Sequence, residues 1–431
     1  MTVLAHPAAP PQHQRGTGAV EAGVAILGLG CIGSAVADLL GSRACAACRR
    51  LRIVGALVTS VAGRHARTPV PLFTEPLAIL DAEPDVVVEV LGGVEPARTI
   101  VLEALSRGIP VVTANKTLVA IHGDELFAAA ARFGTPLRCE AAVVAGVPFL
   151  GTFASRPLAA AVDGVTAILN GTSNFVLSRV DEGVALADAL ADAQRQGFAE
   201  PDPSKDLDGS DAAEKLAILL RHFARVSIQP SEIHVSSIEG IGPAEMSAAR
   251  ELGGRLKPVA FAAWTNDEVV CHAGPAFLTE DDPLAALAGV LNGIRLERHG
   301  GAALQLIGPG AGPDVTARTI LDDVLEALAG HELPLSSPLP RARVVPPATQ
   351  GWFVNLRATR LPDVVDIADL LSAHGVWARR WGATRTGSGS HARALLTLPC
   401  SADELRTALE AVGSACGCVA RSWPFVEVNH D

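Results

Sequence analysis

The sequence is poor in charge, and in positive charge most of all. Only 19% of its 431 residues are charged, and 35 lysines and arginines face 46 aspartates and glutamates, which gives a net charge of −11. Without a basic surplus to neutralise phosphates, we expect no nucleic-acid partner. No apolar run reaches the roughly 18 residues of a transmembrane helix, so we expect no membrane partner either. The first 18 residues also lack the apolar segment of a signal peptide, which predicts a disordered arm at 1–18 on a cytoplasmic protein.

A disulfide framework is also not expected, because the eight cysteines are irregularly spaced along a long chain. Cys45 and Cys48 have the spacing of a metal or redox pair, but no second pair lies near them in the sequence. We therefore interpret them as separate thiols, and Cys416 and Cys418 in the same way.

The chain is hydrophobic enough to be globular, at 49%, and long enough for two or three domains. Short β-branched runs alternate with helical segments over residues 19–145, which predicts βαβ units in a Rossmann nucleotide-binding domain. Residues 146–312 are predicted to form an α+β domain for substrate binding and dimerisation, and a helix at 313–330 is expected to pack back on the first domain. A Pro-rich linker at 333–348 precedes a small ferredoxin-like βαββαβ unit at 349–431. The predicted fold class is therefore α/β.

A glycine-rich turn follows the first predicted strand and opens the first helix. Gly28, Gly30 and Gly33 form GxGxxG, with Cys31 and Ile32 between the second and third glycines. The glycines permit a tight turn, close approach of a pyrophosphate to the backbone, and close packing of helix on strand. This context predicts a dinucleotide site; the alternative is a turn that binds nothing.

The end of the second strand should select the cofactor. An acid there would hold the ribose 2′-hydroxyl of NAD, but the chain has Thr59 and Ser60, then Arg64 and Arg67, and no acid before Glu75. Hydroxyls and arginines suit a 2′-phosphate, so we predict NADP, with NAD as the alternative.

The charge-rich stretch FAEPDPSKDLDGSDAAEK, at 198–215, interrupts this weakly charged chain. Asp211 and Lys215 lie one helical turn apart, and Lys215 borders the predicted apolar stripe, where desolvation could tune it for proton transfer. Spacing alone favours an ordinary surface ion pair. The carboxylates of the preceding loop could hold a substrate ammonium group or, less consistently with their spacing, Ca²⁺.

These stretches together resemble homoserine dehydrogenases over nearly all of residues 20–330. The matching segments are GLGCIG at 28–33, EVLGGVEPAR at 89–98, VVTANKTLVA at 111–120, NGTSNF at 170–175, GFAEPDPSKDLDGSDAAEK at 197–215 and GPGAG at 308–312. The resemblance implies interconversion of L-aspartate 4-semialdehyde and L-homoserine by hydride transfer with NAD(P)H, in the biosynthesis of threonine, methionine and isoleucine. It also implies a homodimer or homotetramer, and a C-terminal unit similar to ACT-like domains that bind an amino-acid effector.

The resemblance implies roles for individual residues. Lys215 would be the general acid, and Lys116 would lie on the other side of the reacting group, near the cofactor. Glu200 and Asp211 would bind the amino end of the substrate and orient Lys215, with support from Asp206. Thr172 would also bind substrate, and Gly92 and Gly312 would line the nicotinamide side.

Many members also bind a structural Na⁺ or K⁺, mostly through backbone carbonyls. In this chain the corresponding residues are Glu140, Val143, Ala145 and Val147. The segment departs from the family pattern, because Ala142 replaces a threonine and Val144 replaces a glycine. A β-branched residue takes few of the backbone angles open to glycine, so we expect an altered cation loop or pocket wall. The absence of tyrosine means that any family tyrosine near the site is replaced.

Two alternatives to an active homoserine dehydrogenase stay open. One is a paralogous NADP oxidoreductase acting on a related amino-acid semialdehyde, which Val144 motivates. The other is a regulatory protein that binds nucleotide and amino acid without turnover. The joint presence of Lys116, Glu200, Asp211 and Lys215 argues against the second, because a binding protein has no need of paired acid–base groups.

Overall fold

The computed structural model describes residues 21–43, 46, 48–60, 69–155, 158, 161–265, 267–299, 301–330, 339–383, 385–387 and 390–426. The predicted arm at 1–18, together with Arg64 and Arg67, lies outside these residues. Among the residues that are described, no helix has both the length and the apolar character needed to cross a bilayer.

The N-terminal part forms a parallel sheet between helices. Its elements are β1 (Ala22–Leu27), α1 (Cys31–Ser42), β2 (Leu51–Leu57), β3 (Leu72–Phe73), β4 (Val86–Glu89), α2 (Ala97–Ser106), β5 (Val111–Thr113), α3 (Lys116–Phe133) and β6 (Leu137–Arg138). The strands lie in the order β3-β2-β1-β4-β5-β6, and every pair is parallel. This is the strand order of a Rossmann nucleotide-binding fold, which confirms that part of the predicted fold class. Val86, Val87 and Val88 are fully buried because helices cover both faces of the sheet.

The middle part is built on an antiparallel sheet. Its elements are α4 (Leu150–Ser155), β7 (Val162–Ile168), α5 (Gly171–Asp181), α6 (Leu186–Arg195), α7 (Ser204–Leu207), α8 (Ser210–Phe223), β8 (His234–Val235), α9 (Pro243–Glu251), β9 (Gly254–Trp264), β10 (Glu268–Thr279), β11 (Asn292–Arg298) and β12 (Gly301–Gly308). Five of the strands run in the order β12-β11-β7-β9-β10. The apolar stripe of α8, with Leu216, Leu219 and Leu220, packs in one core with Ala260 and Ala262 of β9. This packing places the charged edge of α8 beside the end of β7.

Helix α10 (Pro313–Leu328) returns to the first sheet. Its buried residues Ala317, Ile320 and Val324 share a core with Val24 of β1 and Val36 of α1. The chain therefore crosses back to the nucleotide-binding part immediately after the GPGAG segment.

The C-terminal part contains the expected βαββαβ order, with two additional short strands. Its elements are β13 (Arg343–Val344), β14 (Gly351–Ala358), α11 (Val364–Ser372), β15 (Ala378–Trp381), β16 (Arg385–Gly387), β17 (Ser390–Thr397), α12 (Ala402–Cys416) and β18 (Val419–Phe425). The main strands are antiparallel in the order β18-β14-β17-β15. The described part of the predicted linker is packed against the middle part of the chain, because β13 pairs with β10 of the middle sheet.

One face of the C-terminal sheet packs on the middle part of the chain. Phe353 and Trp423 share a core with Val176 of α5 and with Leu207 of α7, which lies within the charge-rich stretch. A bridge between Phe425 of β18 and Phe277 of β10 joins the two sheets. The C-terminal unit is thus part of the scaffold behind α5.

The cysteines differ from the prediction at one position. Cys48 is disulfide-bonded, so its interpretation as a separate thiol was wrong. Cys45 lies outside the described residues. Cys416 and Cys418 are free thiols, as predicted.

Candidate active site

The glycine turn between β1 and α1 has the geometry of a dinucleotide cradle. A Cβ on Gly33 would overlap the carbonyl oxygen of Gly28, so only glycine allows α1 to pack this closely on the turn. Gly28 has φ +104°, and a Cβ on it would lie 2.9 Å from the carbonyl oxygen of Val90. A Cβ on Gly30, in contrast, would meet no atom within 4 Å, and Gly30 and Cys31 are exposed. The cradle is therefore closed on the protein side and open where a pyrophosphate would approach the helix N-terminus, so these residues fit the cofactor.

A buried carboxylate organises the loop after β4. Glu89 is fully buried at the end of that strand and accepts hydrogen bonds from Thr113 Oγ1 at 2.5 Å and from the Leu91 amide at 2.8 Å. Burial raises the pKa of Glu89, although these hydrogen bonds act against the rise. The next glycines, Gly92 and Gly93, have positive φ and open space on their Cα side. Glu89 thus anchors a loop that faces the cradle.

Asn115 connects this loop to the start of α3. Its Nδ2 donates to the carbonyl of Gly93 at 2.6 Å, and its Oδ1 accepts from the Leu118 amide at 3.1 Å as the N-cap. The cap fixes where α3 begins, and Lys116 is its first residue. The lysine is therefore presented from a helix end that is itself tied to the cofactor side.

Two lysines meet on one carboxylate at the centre of the site. Lys215 Nζ lies 2.9 Å from Asp211 Oδ2, and Lys116 Nζ lies 3.2 Å from Asp211 Oδ1. Lys215 also donates to the carbonyl of Leu169, just after β7, at 2.7 Å. Side-chain exposure is 14% for Lys215, 8% for Asp211 and 35% for Lys116, so this is a partly buried cluster and not the surface ion pair that spacing alone favoured.

An amide side chain holds the two aspartates of the cluster together. Asn170 Nδ2 donates to Asp206 Oδ1 at 2.7 Å and to Asp211 Oδ2 at 2.8 Å. Its Oδ1 accepts from the Ser173 amide at 2.7 Å and caps α5. Thus Asn170 sets the start of α5 and the positions of both carboxylates at once.

The charges of the cluster are strongly coupled. Burial acts to raise the pKa of Asp211, but Lys215 and Lys116 outweigh it and lower the pKa of Asp211 to about 2. Burial acts to lower the pKa of Lys116, but Asp211 and Glu214 outweigh it, so the pKa is raised. Burial raises the pKa of Asp206. Near neutral pH, Asp211 is thus an anion and Lys116 a cation.

Not every residue implied by the resemblance lies in the cluster. Glu200 is exposed, and its backbone carbonyl accepts a hydrogen bond from Gln194 at 3.3 Å. Thr172 is buried in the first turn of α5, and its hydroxyl donates to the carbonyl of Phe198 at 2.6 Å. Gly312, with φ +117°, is the N-cap of α10 and has open space beside its Cα.

The segment implied to bind a cation folds around a buried carboxylate. Glu140 accepts from the amides of Phe149 and Leu150, each at 2.8 Å, and of Gly151 at 2.7 Å, so its side chain is occupied by the protein. The carbonyl of Ala145 accepts from the Gly310 amide at 3.1 Å. The described residues contain no group of three or more His, Cys, Asp or Glu side chains that could hold a metal. An ion here would therefore depend on backbone carbonyls, such as those of Val143 and Val147.

Val144 causes none of the backbone strain that we expected. The described non-glycine residues with positive φ are Arg43, Glu83 and Arg225, and Val144 is not among them. Its side chain is fully buried in the core, and the positive φ of this segment belongs to Gly146, at 76°. Val144 thus fills the core and does not line an open surface.

A separate cavity of about 450 Å³ lies between α10 and the segment that follows Glu140. Three of its charged groups pair with one another: Arg138 Nε donates to Asp323 at 3.3 Å, and Arg138 Nη2 donates to Glu326 at 3.3 Å. Neither lysine of the cluster lines this cavity, but Glu140 and Val147 of the segment implied to bind a cation do.

Sequence reasoning gave no role to Asn170, Asn115, Glu89 and Glu214. Asn115 and Asn170 carried a usable signal, because each is an asparagine directly before a predicted helix, where N-caps occur. Glu89 stands out as a single acid inside the apolar run VVVEVL at 86–91. Glu214 had no signal, because a glutamate on a charged helix face is ordinarily solvated.

Known proteins match this chain over most of its length. A family model described as "Homoserine dehydrogenase" matches residues 148–325, and one described as "Homoserine dehydrogenase, NAD binding domain" matches residues 28–140. The homoserine dehydrogenase of Mycobacterium tuberculosis is 35% identical over 370 residues, which cover 81% of this chain and 82% of the relative. That of Corynebacterium glutamicum is 35% identical over 333 residues, covering 74% and 75%.

Solved structures agree with these relatives. A homoserine dehydrogenase from Thiobacillus denitrificans superposes with a TM-score of 0.84 at 28% identity, covering 94% of this chain and 98% of the other. A hyperthermophilic archaeal homoserine dehydrogenase in complex with NADPH superposes with a TM-score of 0.60 at 26% identity, covering 72% and 98%.

Fold and site together define an oxidoreductase that uses a nicotinamide cofactor on a Rossmann domain. The chain belongs to the homoserine dehydrogenase family and acts on a CH–OH group. Neither of the two alternative functions finds support among these matches. Both family models end before the C-terminal βαββαβ unit, whose role remains a prediction.

Proposed function

We propose that Lys215 is the general acid and base of this homoserine dehydrogenase and that Lys116 and Asp211 complete the catalytic group. The observation that carries the proposal is the shared carboxylate: two lysine ammonium groups lie 2.9 and 3.2 Å from the two oxygens of Asp211. A lysine ammonium has three N–H donors. For Lys215, Asp211 and the Leu169 carbonyl take two of them, which leaves one for a substrate oxygen.

When bound, the nicotinamide supplies hydride to the semialdehyde carbon or accepts it from homoserine. In the direction of reduction, the carbonyl electron pair moves to oxygen, and Lys215 transfers a proton to it, forming the O–H bond of the alcohol. In the direction of oxidation, neutral Lys215 takes that proton. Lys116, on the cofactor side, would place a second cation near the oxygen as negative charge develops there.

The substrate ammonium group would lie at Asp206, with Glu200 in support. Asp206 faces the cluster through Asn170, and within the described part of the chain no ion pair to Asp206 is present. Burial and the neighbouring Asp211 raise the pKa of Asp206, and a cation placed beside it would relieve both effects. Glu200 is exposed, so its contact with substrate would need the loop to close over the site. Thr172 would support the substrate indirectly, by holding the Phe198 carbonyl.

The cofactor preference is proposed to be NADP. Thr59 and Ser60 are exposed beyond the end of β2, where the ribose 2′ position is read, and no acid follows before Glu75. Replacing Arg64 and Arg67 by alanine should raise the KM for NADP by about tenfold or more and leave the KM for NAD within about threefold. An unchanged ratio of the KM for NADP to the KM for NAD would contradict the proposed preference for NADP.

Cation binding, assembly and regulation are proposed from the family resemblance. Na⁺ or K⁺ would be held by backbone carbonyls of residues 140–147, so unfolding midpoints should be higher in KCl or NaCl than in tetramethylammonium chloride at equal ionic strength. The chain should be a dimer or tetramer by light scattering. An amino-acid effector at the ACT-like C-terminal unit, such as an end product of threonine or methionine biosynthesis, should raise the unfolding midpoint and change the turnover.

The test of the proposed function is reduction of NADP⁺ by L-homoserine with purified protein, followed by nicotinamide absorbance. Wild-type turnover is expected, and Lys215→Ala should lower it by about 10²–10⁴-fold while cofactor still binds. Lys205→Ala, which removes an exposed lysine of the same stretch, is the control and should stay within a few-fold of wild type. Cofactor binding without turnover by wild-type protein would overturn the assignment.

A further inference from the structure

Two polar links join α3 and α8 at matched positions. Thr117 Oγ1 donates to both carboxylate oxygens of Glu214, at 3.0 and 2.9 Å. Arg221 Nη1 donates to Asp124 Oδ1 at 2.7 Å. The second link lies seven residues after the first on each helix, which is about two helical turns. The two helices therefore run parallel and in register.

The first link lies at the catalytic lysines and the second does not. Thr117 directly follows Lys116, and Glu214 directly precedes Lys215. Glu214 lies three residues after Asp211, so both carboxylates are on the face of α8 that meets the first turn of α3. Lys116 contacts one of these carboxylates, and Thr117 contacts the other.

Glu214 also reaches the charge-rich loop. It is 7% exposed, and its Oε1 lies 3.7 Å from Nζ of the exposed Lys205 in α7. One carboxylate therefore connects the three elements that carry Lys116, Asp206 and Lys215. The Thr117 hydroxyl and the exposed Lys205 ammonium only partly offset the desolvation cost of the buried Glu214 carboxylate. This cost argues that the carboxylate has a role beyond packing.

We propose that Glu214 is a positioning residue: it fixes the first turn of α3 against α8, so that Lys116 is held opposite Lys215 across Asp211, and it provides a second negative charge beside Lys116. The inference rests on the proposed function of the two lysines. It assigns Glu214 no contact with substrate or cofactor.

The proposed electrostatic role of Glu214 is consistent with the charges around Lys116. The charged groups that face it are Asp211 and Glu214 of α8 and Asp206 of α7, with Lys215 beyond Asp211. Burial acts to lower the pKa of Lys116, and Asp211, then Glu214, raise it. Removal of the Glu214 charge should therefore let Lys116 lose its proton at lower pH.

Three substitutions separate position from charge. Glu214→Gln keeps an acceptor for Thr117 but removes the charge, Thr117→Val removes the hydrogen bond but keeps the charge, and Thr117→Ser keeps both. Asp124→Asn is the matched control, because it removes the carboxylate charge from the other link between the same helices, away from the lysines. For each variant we would measure the unfolding midpoint, kcat and KM for semialdehyde reduction, and the pH at which kcat falls on the alkaline side.

Glu214→Gln should move the alkaline loss of kcat to lower pH by about half a unit or more. Thr117→Val should lower kcat by about tenfold with little change in the KM for cofactor, because the lysine moves but the cradle does not. Thr117→Ser should stay within about twofold of wild type. Asp124→Asn should lower the unfolding midpoint while leaving the pH profile unchanged.

The proposal is overturned if wild-type protein turns over and both Glu214→Gln and Thr117→Val behave as Asp124→Asn does, with lower stability only. That result would leave the proposed function intact. Wild-type protein that binds cofactor without turnover would instead refute the proposed function itself, so the two failures are distinguishable.

Discussion

Replacing Asp211 by asparagine should damage both stability and turnover, because one carboxylate serves two lysines. The side chain is 8% exposed and lies 2.9 Å from Lys215 and 3.2 Å from Lys116. In Asp211→Asn the amide oxygen can still accept from Asn170, but one lysine would face an N–H₂ donor. Lys215 keeps its hydrogen bond to Leu169, and Lys116, at 35% exposure, turns toward water.

The size of the loss follows from the titration of Asp211. Burial would raise its pKa, but the two lysines lower it to about 2 from the ordinary value of 3.8. The difference of about 1.8 pH units corresponds to about 2 kcal/mol, at about 1.36 kcal/mol per unit. Leaving a buried charge without its partner costs more, about 3–5 kcal/mol, but water reaches Lys116 here. We expect Asp211→Asn to lower the free energy of unfolding by about 2–4 kcal/mol.

The assay is urea unfolding followed by two probes, together with kcat for homoserine oxidation. Turnover should fall by about 10²-fold, since Lys116 is no longer held opposite Lys215 and Lys215 loses the anion that orients it. Asp208→Asn is the matched control from the same stretch: it is exposed, and asparagine can still accept from the Ser210 amide. The control should change stability by less than about 0.5 kcal/mol.

The pH dependence gives an independent check. Because the pKa of Asp211 is lower in the folded than in the unfolded state, its contribution is complete above about pH 4 and is lost as pH falls toward 2. The stability difference between wild type and Asp211→Asn should therefore be constant from pH 8 to 5 and narrow below about pH 4. A variant with wild-type stability and turnover within a few-fold of wild type would refute the reasoning.

Two further predictions test the scaffold. Gly33→Ala should destabilise the fold, because its Cβ would overlap the turn. Gly30→Ala should leave stability unchanged and weaken cofactor binding, because its Cβ faces open space. Thermal unfolding and cofactor titration measure the two effects, and equal behaviour of the two variants would contradict the assignment of this turn as the dinucleotide cradle. Phe353→Ala should lower the free energy of unfolding by about 3–5 kcal/mol and reduce turnover, because this fully buried ring packs behind α5. The control Val365→Ala, at a 64% exposed position on α11, should have little effect, and a normal unfolding transition in Phe353→Ala would show that the C-terminal unit is dispensable.

Features that depend on near neighbours in sequence could be predicted. The turn from β1 into α1 and the strand order of a Rossmann domain follow from glycine spacing and from alternating apolar runs. The pairing of Asp211 and Lys215 follows from helical periodicity. In each case the interacting groups lie within one turn or one βαβ unit, so local geometry determines the contact.

Features that depend on tertiary packing could not be derived from spacing. Lys116 and Asp211 are 95 residues apart in the sequence, and only the packing of α3 on α8 brings them within 3.2 Å. The same packing buries Glu214, which the sequence presents as one more surface acid. The resemblance supplied Lys116 but not the carboxylate that positions it, and it gave no indication of the disulfide at Cys48.

Burial also decides which carboxylate of the charge-rich stretch acts most strongly on a substrate ammonium group. A charge at the edge of the cluster acts on a substrate ammonium through a medium of lower effective dielectric constant than water, whereas an exposed carboxylate is screened. Lys116 and Lys215 neutralise Asp211, and Thr117 and Lys205 partly compensate Glu214. Asp206 has an amide partner but no ion pair among the described residues. A substrate with an ammonium group and a carbonyl would complete this arrangement, with the cation at Asp206 and the oxygen at Lys215. Asp206, more than the exposed Glu200, should therefore control the selection of an amino-acid substrate.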